Sequence, residues 1–381
     1  MKLNPRGLFI AIALALPLVA FAQQPPVSII GLLELSGTGA TSGTNFDNGV
    51  KLAIKEINAA GGILGRQIDY ATWDTQTNPG VAKALAKKAS DQGVYVVMGP
   101  VFSGSILVSM TETQRAEITK LTGGEAPLVT RQGNPYIFRT SITLGSMFPK
   151  LARYINGTVK AKTVAIIYGN DDAGKGTRDA ARKSLEAVGV KVLTDISTEP
   201  GQVDFSSAVL LAKRSEAGAL VVYVNEEEAA RLLRALKSMS YDKPVLGATV
   251  LVAPSVIKLA GDSANGAIGV VDLAAAAPQA SLKGFHQRFT DAYKYTSDHN
   301  GIKGYTGMYI VKAMTERVGK FDSKALAKAL HGAKISAKDY PGVLLDVVYD
   351  DAGDLDRESF LIKVQNGEQV VIAALPADGG K

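Results

Sequence analysis

The segment Gly99-Pro-Val-Phe-Ser-Gly104 places a serine and two glycines directly after an apolar run. Residues 93–98 form that run and are typical of a buried strand, and the residues from Ser105 onwards could open a helix. Ligands of α/β sheets bind at the carboxyl ends of the strands, where this turn would lie. Three kinds of chemistry fit such a turn: it could cradle a phosphate, activate Ser103 as a nucleophile, or hold a small carboxylate.

The residues around Ser103 favour the carboxylate. The G-x-S-x-G elbow of serine hydrolases is missing, and no histidine is linked to Ser103 by a recognisable spacing. A helix start instead presents unpaired N–H donors and the positive end of the helix dipole. We therefore expect Ser103 and the backbone N–H groups of Ser103 and Gly104 to face a small carboxylate. A secreted hydrolase that uses Ser103 is the enzymatic alternative.

A second glycine-rich turn, residues 169–175, follows a predicted strand and resembles a nucleotide-binding P-loop. Gly176 stands where that motif needs Ser or Thr to hold magnesium. We therefore interpret the turn as an element whose glycines allow tight packing.

Two further sets of residues could suggest metal binding. One acidic set lacks the spacing and the final Glu of an EF-hand and favours a hairpin turn: Asp350, Asp351, Asp354 and Asp356. Three histidines on late helical segments have no metal-ligand spacing and are expected at the surface: His286, His299 and His331. No metal or cofactor is therefore expected.

The first 22 residues have the pattern of a cleaved secretory signal peptide. Lys2 and Arg6 precede an apolar stretch over residues 8–21, which ends in the A-x-A cleavage site at residues 20–22. The stretch falls short of the roughly 20 residues that a membrane span needs, and it contains Pro17.

Composition narrows the compartment and the partners. The 381 residues include no cysteine, which excludes disulfides, a thiol nucleophile and a lipid anchor on an N-terminal cysteine. The formal charge of +6 falls to +4 without Lys2 and Arg6, and no basic run indicates nucleic-acid binding. These features predict a periplasmic protein that is not a lipoprotein.

The elements that must position Ser103 alternate between strands and helices. The first half contains predicted strands at 27–33, 67–72 and 94–98 and predicted helices at 47–59 and 81–92. The second half, from about residue 141, contains predicted strands at 162–168, 190–196, 219–224 and 244–247 and predicted helices at 175–188, 206–217 and 227–238. Later segments are helices at 285–295, 305–318 and 323–330 and closing strands at 343–349 and 359–365. This alternation predicts an α/β fold of two similar, doubly wound halves.

An ordered set of motifs carries a family resemblance over essentially the whole mature chain. The motifs are Gly31-x-x-x-x-Ser36-Gly37, 48–53 (NGVKLA), 56–65 (EINAAGGILG), Gly99-Pro-x-x-Ser103, 138–140 (FRT), 204–205 (DF), 304–305 (GY) and 353–354 (GD). With them the chain resembles the periplasmic solute-binding proteins of branched-chain amino acid ABC transporters, the type I "Venus flytrap" proteins.

The resemblance implies two Rossmann-like lobes joined by a three-stranded hinge, with the solute in the cleft. Its crossovers would lie near Thr140, Asp272 and Asp346. The lobes would be 27–140 plus 273–345 and 141–272 plus 346–381. Such proteins catalyse no reaction. They close on a solute and dock on a membrane permease, and we expect a monomer.

The resemblance also implies a set of pocket residues. Ser103 would take the solute carboxylate, with Phe102 beside it. Other pocket positions depart from amino-acid-binding relatives: Ser42 and Ala173 replace aromatic residues, Thr249 replaces the acid that pairs with the ammonium, and Gly123-Gly124-Glu125 replaces an Ala-x-Thr element.

These departures leave the solute open. Phe102, Tyr223 or Tyr305 could refill the space of the lost aromatic residues. Glu125, or Glu226 next to Asn225, could hold an ammonium, because a buried ammonium without a partner is costly. One hypothesis is therefore an aliphatic amino acid, and the other is an aromatic or short-chain carboxylate or an amide without an ammonium. A ligand-sensing receptor also remains open, because fold alone does not fix function.

Overall fold

Two sheets organise the chain, one in each lobe. The computed structural model describes residues 24–274 and 276–377, so the predicted signal peptide lies outside the described residues. The first sheet is parallel, in the order β2-β1-β3-β4-β5, with β1 Val27–Leu33, β2 Ile68–Asp74, β3 Val96–Met98, β4 Thr119–Thr122 and β5 Ile137–Arg139. The helices on it are α1 Ala40–Ala59, α2 Pro79–Asp91, α3 Ser103–Arg115, α9 Ala280–Tyr293, α10 His299–Val318 and α11 Ser323–Leu330.

The second sheet has seven strands and an antiparallel edge. Its order is β15-β14-β10-β9-β8-β6-β7, with β6 Thr163–Gly169, β7 Lys191–Thr198, β8 Ala219–Tyr223, β9 Val245–Ala248, β10 Ile268–Val271, β14 Ser359–Gln365 and β15 Glu368–Leu375. Its helices are α4 Leu144–Tyr154, α5 Asp172–Ala187, α6 Ser206–Arg214, α7 Glu226–Ser238 and α8 Pro254–Ala260. A small third sheet contains β11 Lys334–Ile335, β12 Val347–Tyr349 and β13 Leu355–Asp356. The predicted α/β fold with two doubly wound lobes is confirmed.

The packing of α1 against α10 brings two helix backbones unusually close. A Cβ atom on Gly304 would lie 2.1 Å from the carbonyl oxygen of Phe46, and one on Gly49 would lie 1.9 Å from that of Gly301. Only glycine permits this approach at those positions. This packing holds the start of α10 on the first lobe, at the side that faces the second lobe.

One buried ion pair connects the three chain segments that pass between the lobes. The Asp272 carboxylate accepts hydrogen bonds from the backbone N–H of Ile142 at 3.0 Å and from Arg357 Nη2 at 3.1 Å. Arg357 Nη2 also donates to the carbonyl oxygen of Thr140 at 2.8 Å. These contacts hold together the three chain segments that pass between the lobes, at residues 140–142, 272 and 357.

Residues 347–354, which precede the third of these segments, contact the first lobe. The Tyr349 hydroxyl donates to the carbonyl oxygen of Arg139, and Asp354 forms an ion pair with the same arginine. These contacts favour a first lobe that also includes residues 347–354, although the predicted boundary lies near Asp346. The lobe boundaries stay a prediction. Within the described residues, none of the helices has the length and apolar character to cross a bilayer.

Candidate functional site

A polar cavity lies between the two lobes at the carboxyl ends of the strands. Its volume is about 40 Å³, and its lining residues are Val101, Phe102, Ser103, Gly123, Glu125, His299, Asn300 and Lys303 from the first lobe and Tyr223, Asn225, Glu226 and Val250 from the second. Nine of these residues lie at or shortly after the carboxyl ends of β3, β4, β8 and β9, as expected for a ligand site in an α/β sheet. A larger cavity of about 270 Å³ lies at the opposite edge, near the first residues of β1, and has no such relation to the strand ends.

Three helices begin at the cavity wall. The helices α3, α7 and α10 start at Ser103, Glu226 and His299 respectively. Helix N-termini present unpaired N–H groups and positive partial charge. Acidic side chains already lie at the starts of α7 and α10, where Glu228 and Asp298 form caps, whereas α3 has no side-chain cap. The start of α3 is therefore the terminus suited to an anionic group.

The start of α3 is shaped to bind such a group. Its first helical hydrogen bond runs from the N–H of Ile106 to the carbonyl oxygen of Phe102 at 3.0 Å, so the N–H groups of Ser103, Gly104 and Ser105 have no acceptor within the helix. Ser103 Oγ accepts from the N–H of Ala126 at 3.3 Å, which leaves its own O–H free to donate. A carboxylate at this point would meet several donors at once.

A buried carboxylate holds the turn before α3 in place. The two Glu34 oxygens accept from the N–H groups of Val101 and Phe102 at 3.0 and 3.1 Å. Burial raises the pKa of Glu34 to about 7. Sequence reasoning missed this residue, although an acid within the apolar run around β1 is a signal that could have found it.

Glu125 already has a cationic partner. Lys303 Nζ donates to Glu125 Oε1 at 2.6 Å and to the carbonyl oxygen of Gly123 at 3.2 Å. The two side chains are only 5 % and 2 % exposed. Burial raises the pKa of Glu125, and the charge of Lys303 opposes that rise. Glu125 is therefore neutralised by the protein itself.

Glu226 has no such partner. It is buried, and its Oε1 atom accepts from Asn300 Nδ2 of the opposite lobe at 3.3 Å. No ion pair within residues 24–274 and 276–377 involves Glu226. Nearby Asp298 caps α10 through the N–H of Asn300 at 2.8 Å. Burial and then the charge of Glu226 raise the pKa of Asp298 to about 7. Negative charge is therefore in excess on this wall.

The structure brings half of the predicted site residues together. Six line the cavity: Phe102, Ser103, Gly123, Glu125, Asn225 and Glu226. Six do not: Ser42, Gly104, Gly124, Ala173, Thr249 and Tyr305.

For two of the six residues that do not line the cavity, the structure shows a clear physical reason. Thr249 is turned inward, with Oγ1 3.5 Å from the carbonyl oxygen of Val270, and its neighbour Val250 lines the cavity instead. Tyr305 follows Lys303 by two residues, about 200° around the helix, and its hydroxyl donates to Glu56 on α1.

The remaining four residues are placed on helices or beside Ser103 and do not line the cavity. Ser42 is buried in α1, Ala173 lies in the first turn of α5, and Gly104 is the second residue of α3. A Cβ atom on Gly124 would lie 3.0 Å from Ser103 Oγ and 2.4 Å from Ile106 Cδ1, so the glycine keeps space beside the serine.

The α10 residues of the cavity were not predicted. His299 is buried and lines the cavity, so the expectation of a surface position for it was wrong. Asn300 and Lys303 were also missed. A run of polar residues after Asp298, a helix-capping type, is the signal that could have found them.

The other motifs take structural roles. Gly174 packs so closely that a Cβ atom would lie 1.9 Å from the carbonyl oxygen of Gly169. Asp350 Oδ1 accepts from the N–H groups of Ala352 and Asp354, both at 2.9 Å, which closes a turn. No group of three or more His, Cys, Asp or Glu residues that could hold a metal occurs in the part of the chain that the structure describes.

Comparison with known proteins places this architecture in a family. The sequence profile described as periplasmic binding protein matches residues 26–369. The Leu/Ile/Val-binding protein BraC3 of Rhizobium johnstonii is 27% identical over 362 residues, which cover 93% of this chain and 96% of the relative.

Solved structures share the fold. The branched-chain amino acid binding protein LivJ of Streptococcus pneumoniae, in complex with isoleucine, has a TM-score of 0.82 at 22% identity and covers 92% of this chain and 99% of its own. A solute-binding protein of Rhodopseudomonas palustris BisB5, in complex with 3,4-dihydroxy benzoic acid, has a TM-score of 0.83 at 22% identity and covers 92% and 98%. Because the family profile spans far more than half of the sequence, the chain belongs to the periplasmic binding protein family.

Proposed function

We propose that the protein is the extracytoplasmic solute-binding component of an ABC importer. It captures a small carboxylate-bearing solute between its lobes in the periplasm and delivers it, as a monomer, to a membrane permease. The observation that carries this proposal is the start of α3, where Ser103 and unpaired N–H groups face an inter-lobe cavity. A hydrolase is disfavoured because Ser103 Oγ shares no hydrogen bond with His299, the histidine of the same cavity.

An amino acid fits the charges of the cavity. Its carboxylate would lie at the start of α3, and its ammonium would neutralise Glu226. Glu125 is less suited to the ammonium because Lys303 already occupies it. The names of the relatives, Leu/Ile/Val-binding proteins, agree with an amino acid.

A carboxylate without an ammonium is the second candidate. Lys303 brings a cation to the cavity wall, and Thr249 stands where the resemblance expects an acid. The Rhodopseudomonas palustris structure contains an aromatic acid of this kind.

A thermal-shift screen of the refolded mature protein tests both candidates. Each amino acid is paired with its deaminated acid, and aromatic acids and amides are added. A solute at about 1,000 times its Kd adds roughly 4 kcal/mol to the free energy of unfolding. Absence of a shift with every carboxylate and amide would refute the proposal.

Two conservative variants separate the candidates. For an amino acid, Glu226→Gln should remove the shift, whereas Glu125→Gln should preserve most of it. For a solute without an ammonium, Glu226→Gln should leave binding unchanged or strengthen it, because a negative charge is lost next to an anion.

A further inference from the structure

The first turns of α10 form a polar wall on one side of the cavity. His299, Asn300 and Lys303 are all buried, and all three line the cavity. His299 Nδ1 and Asn300 Oδ1 have no hydrogen-bond partner within the described residues. Buried polar atoms are costly when unpaired, so these two atoms point to a partner that occupies the cavity.

Lys303 and Glu125 balance each other's charge on this wall. Burial holds the pKa of His299 well below its ordinary value, so the ring is neutral and offers one donor and one acceptor. Lys303 uses two of its three N–H donors, on Glu125 and on the carbonyl oxygen of Gly123. Glu125 Oε2 accepts no hydrogen bond within the described residues. Hydrogen-bonding capacity therefore remains, with no net charge from the Lys303–Glu125 pair.

An aliphatic side chain is poorly matched to such a wall. It would exclude water from His299, Asn300 and the Lys303–Glu125 pair and supply no hydrogen bonds in return. The volume of about 40 Å³ is also far below the roughly 300–1,000 Å³ typical of pockets for drug-sized ligands, which favours a short solute.

We propose that the α10 wall, formed by His299, Asn300 and Lys303 with Glu125, binds the uncharged polar end of the solute. The protein then selects a short carboxylate whose far end bears a hydroxyl or an amide over one with a branched aliphatic end. This inference rests on the proposed function, because it requires the carboxylate to lie at the start of α3.

Isosteric ligand pairs test the inference by isothermal titration calorimetry on the refolded mature protein. The pairs are threonine with valine, asparagine with leucine, and, without an ammonium, 3-hydroxybutyrate with 3-methylbutanoate. In at least one pair the polar member should bind at least about tenfold more tightly. Equal or tighter binding of the apolar members overturns the inference and leaves the proposed function standing. Absence of binding by every compound refutes both.

Variants assign the preference to this wall. Combining Lys303→Met with Glu125→Gln removes both charges and nearly preserves side-chain length, and it should shrink or reverse the polar preference. Lys312→Met is the matched control, because Lys312 lies on the same helix but pairs with Glu316 at the helix surface. It should preserve the preference. Asn300→Leu provides a second test if the double variant melts before titration. If these variants retain the full preference for polar ligands, the preference does not come from the α10 wall and the assignment is overturned.

Discussion

Arg139 determines where the Glu125 loop lies, and its removal has a predictable cost. The side chain is fully buried. Its guanidinium donates to the carbonyl oxygens of Gly124 and Ala126 at 2.6 and 2.7 Å and to Asp354 Oδ1 at 2.5 Å. One side chain thus fixes the residues on both sides of Glu125.

The loss of unfolding free energy in Arg139→Met depends on which buried acceptors lose their hydrogen-bond donor. The carbonyl oxygens of Gly124 and Ala126 lose charged donors in a buried environment. Asp354 keeps Arg131, which donates to its Oδ2 atom at 2.7 Å. Breaking a buried ion pair costs about 3–5 kcal/mol, and the remaining cation places this case near 3 kcal/mol. That is a large share of the roughly 5–15 kcal/mol that stabilises a typical domain.

Urea unfolding of Arg139→Met and Arg131→Met provides the measurement and its control. Arg131 contacts the same carboxylate, but its side chain is 55% exposed, so its removal should cost at most about 1 kcal/mol. Arg139→Met should also weaken solute binding, because the Glu125 loop loses its support, whereas Arg131→Met should not. Equal losses of unfolding free energy in the two variants would refute this reasoning.

Two further predictions concern the turn before α3. Ser103→Ala should weaken solute binding by about 1–3 kcal/mol, roughly 5- to 150-fold in Kd, because the carboxylate loses a hydroxyl donor; an unchanged titration would remove Ser103 from the site. Burial raises the pKa of Glu34 from its ordinary 4.5 to about 7, so the folded state holds this proton more tightly than the unfolded chain. Its contribution to stability is therefore full below about pH 4.5 and is lost as the pH rises to about 7. Glu34→Gln should remove this part of the pH dependence of urea unfolding, and identical pH profiles of the two proteins would contradict the assignment.

Sequence periodicity identified several of the long elements, but it missed α4, β15 and short strands with buried charges. The predicted bounds of β1, α11 and β14 agree with the structure. In contrast, β4 and β5 have four and three residues and contain Lys120 and Arg139. Lys120 is buried and donates to Ser109 Oγ at 2.6 Å. Such charges are stabilised by tertiary partners that no local pattern contains, so the sequence around them does not indicate a strand.

The start of α10 was missed for a different reason, and it concealed part of the cavity. The helix begins at His299, six residues before its predicted start. Gly301 and Gly304 lower helix propensity, but close packing on α1 compensates for it. Tyr305 was chosen as an aromatic residue that could refill the pocket, whereas Lys303 on the opposite face of the helix lines the cavity.

The distribution of charge between the lobes indicates how a solute would drive closure. The carboxylate donors and the Lys303–Glu125 pair lie on the first lobe, and Glu226 lies on the second. Asn300 of the first lobe donates a hydrogen bond to Glu226 across the cavity at 3.3 Å. Glu226 is then close enough to Asp298 for its charge to raise the pKa of Asp298. Closing the lobes thus brings two acids together, and a solute favours closure only as far as it binds the closed state better. An ammonium placed at Glu226 would relieve that repulsion while the carboxylate stays on α3. An amino acid should therefore close the lobes more strongly than its deaminated acid, which leaves the two acids unopposed.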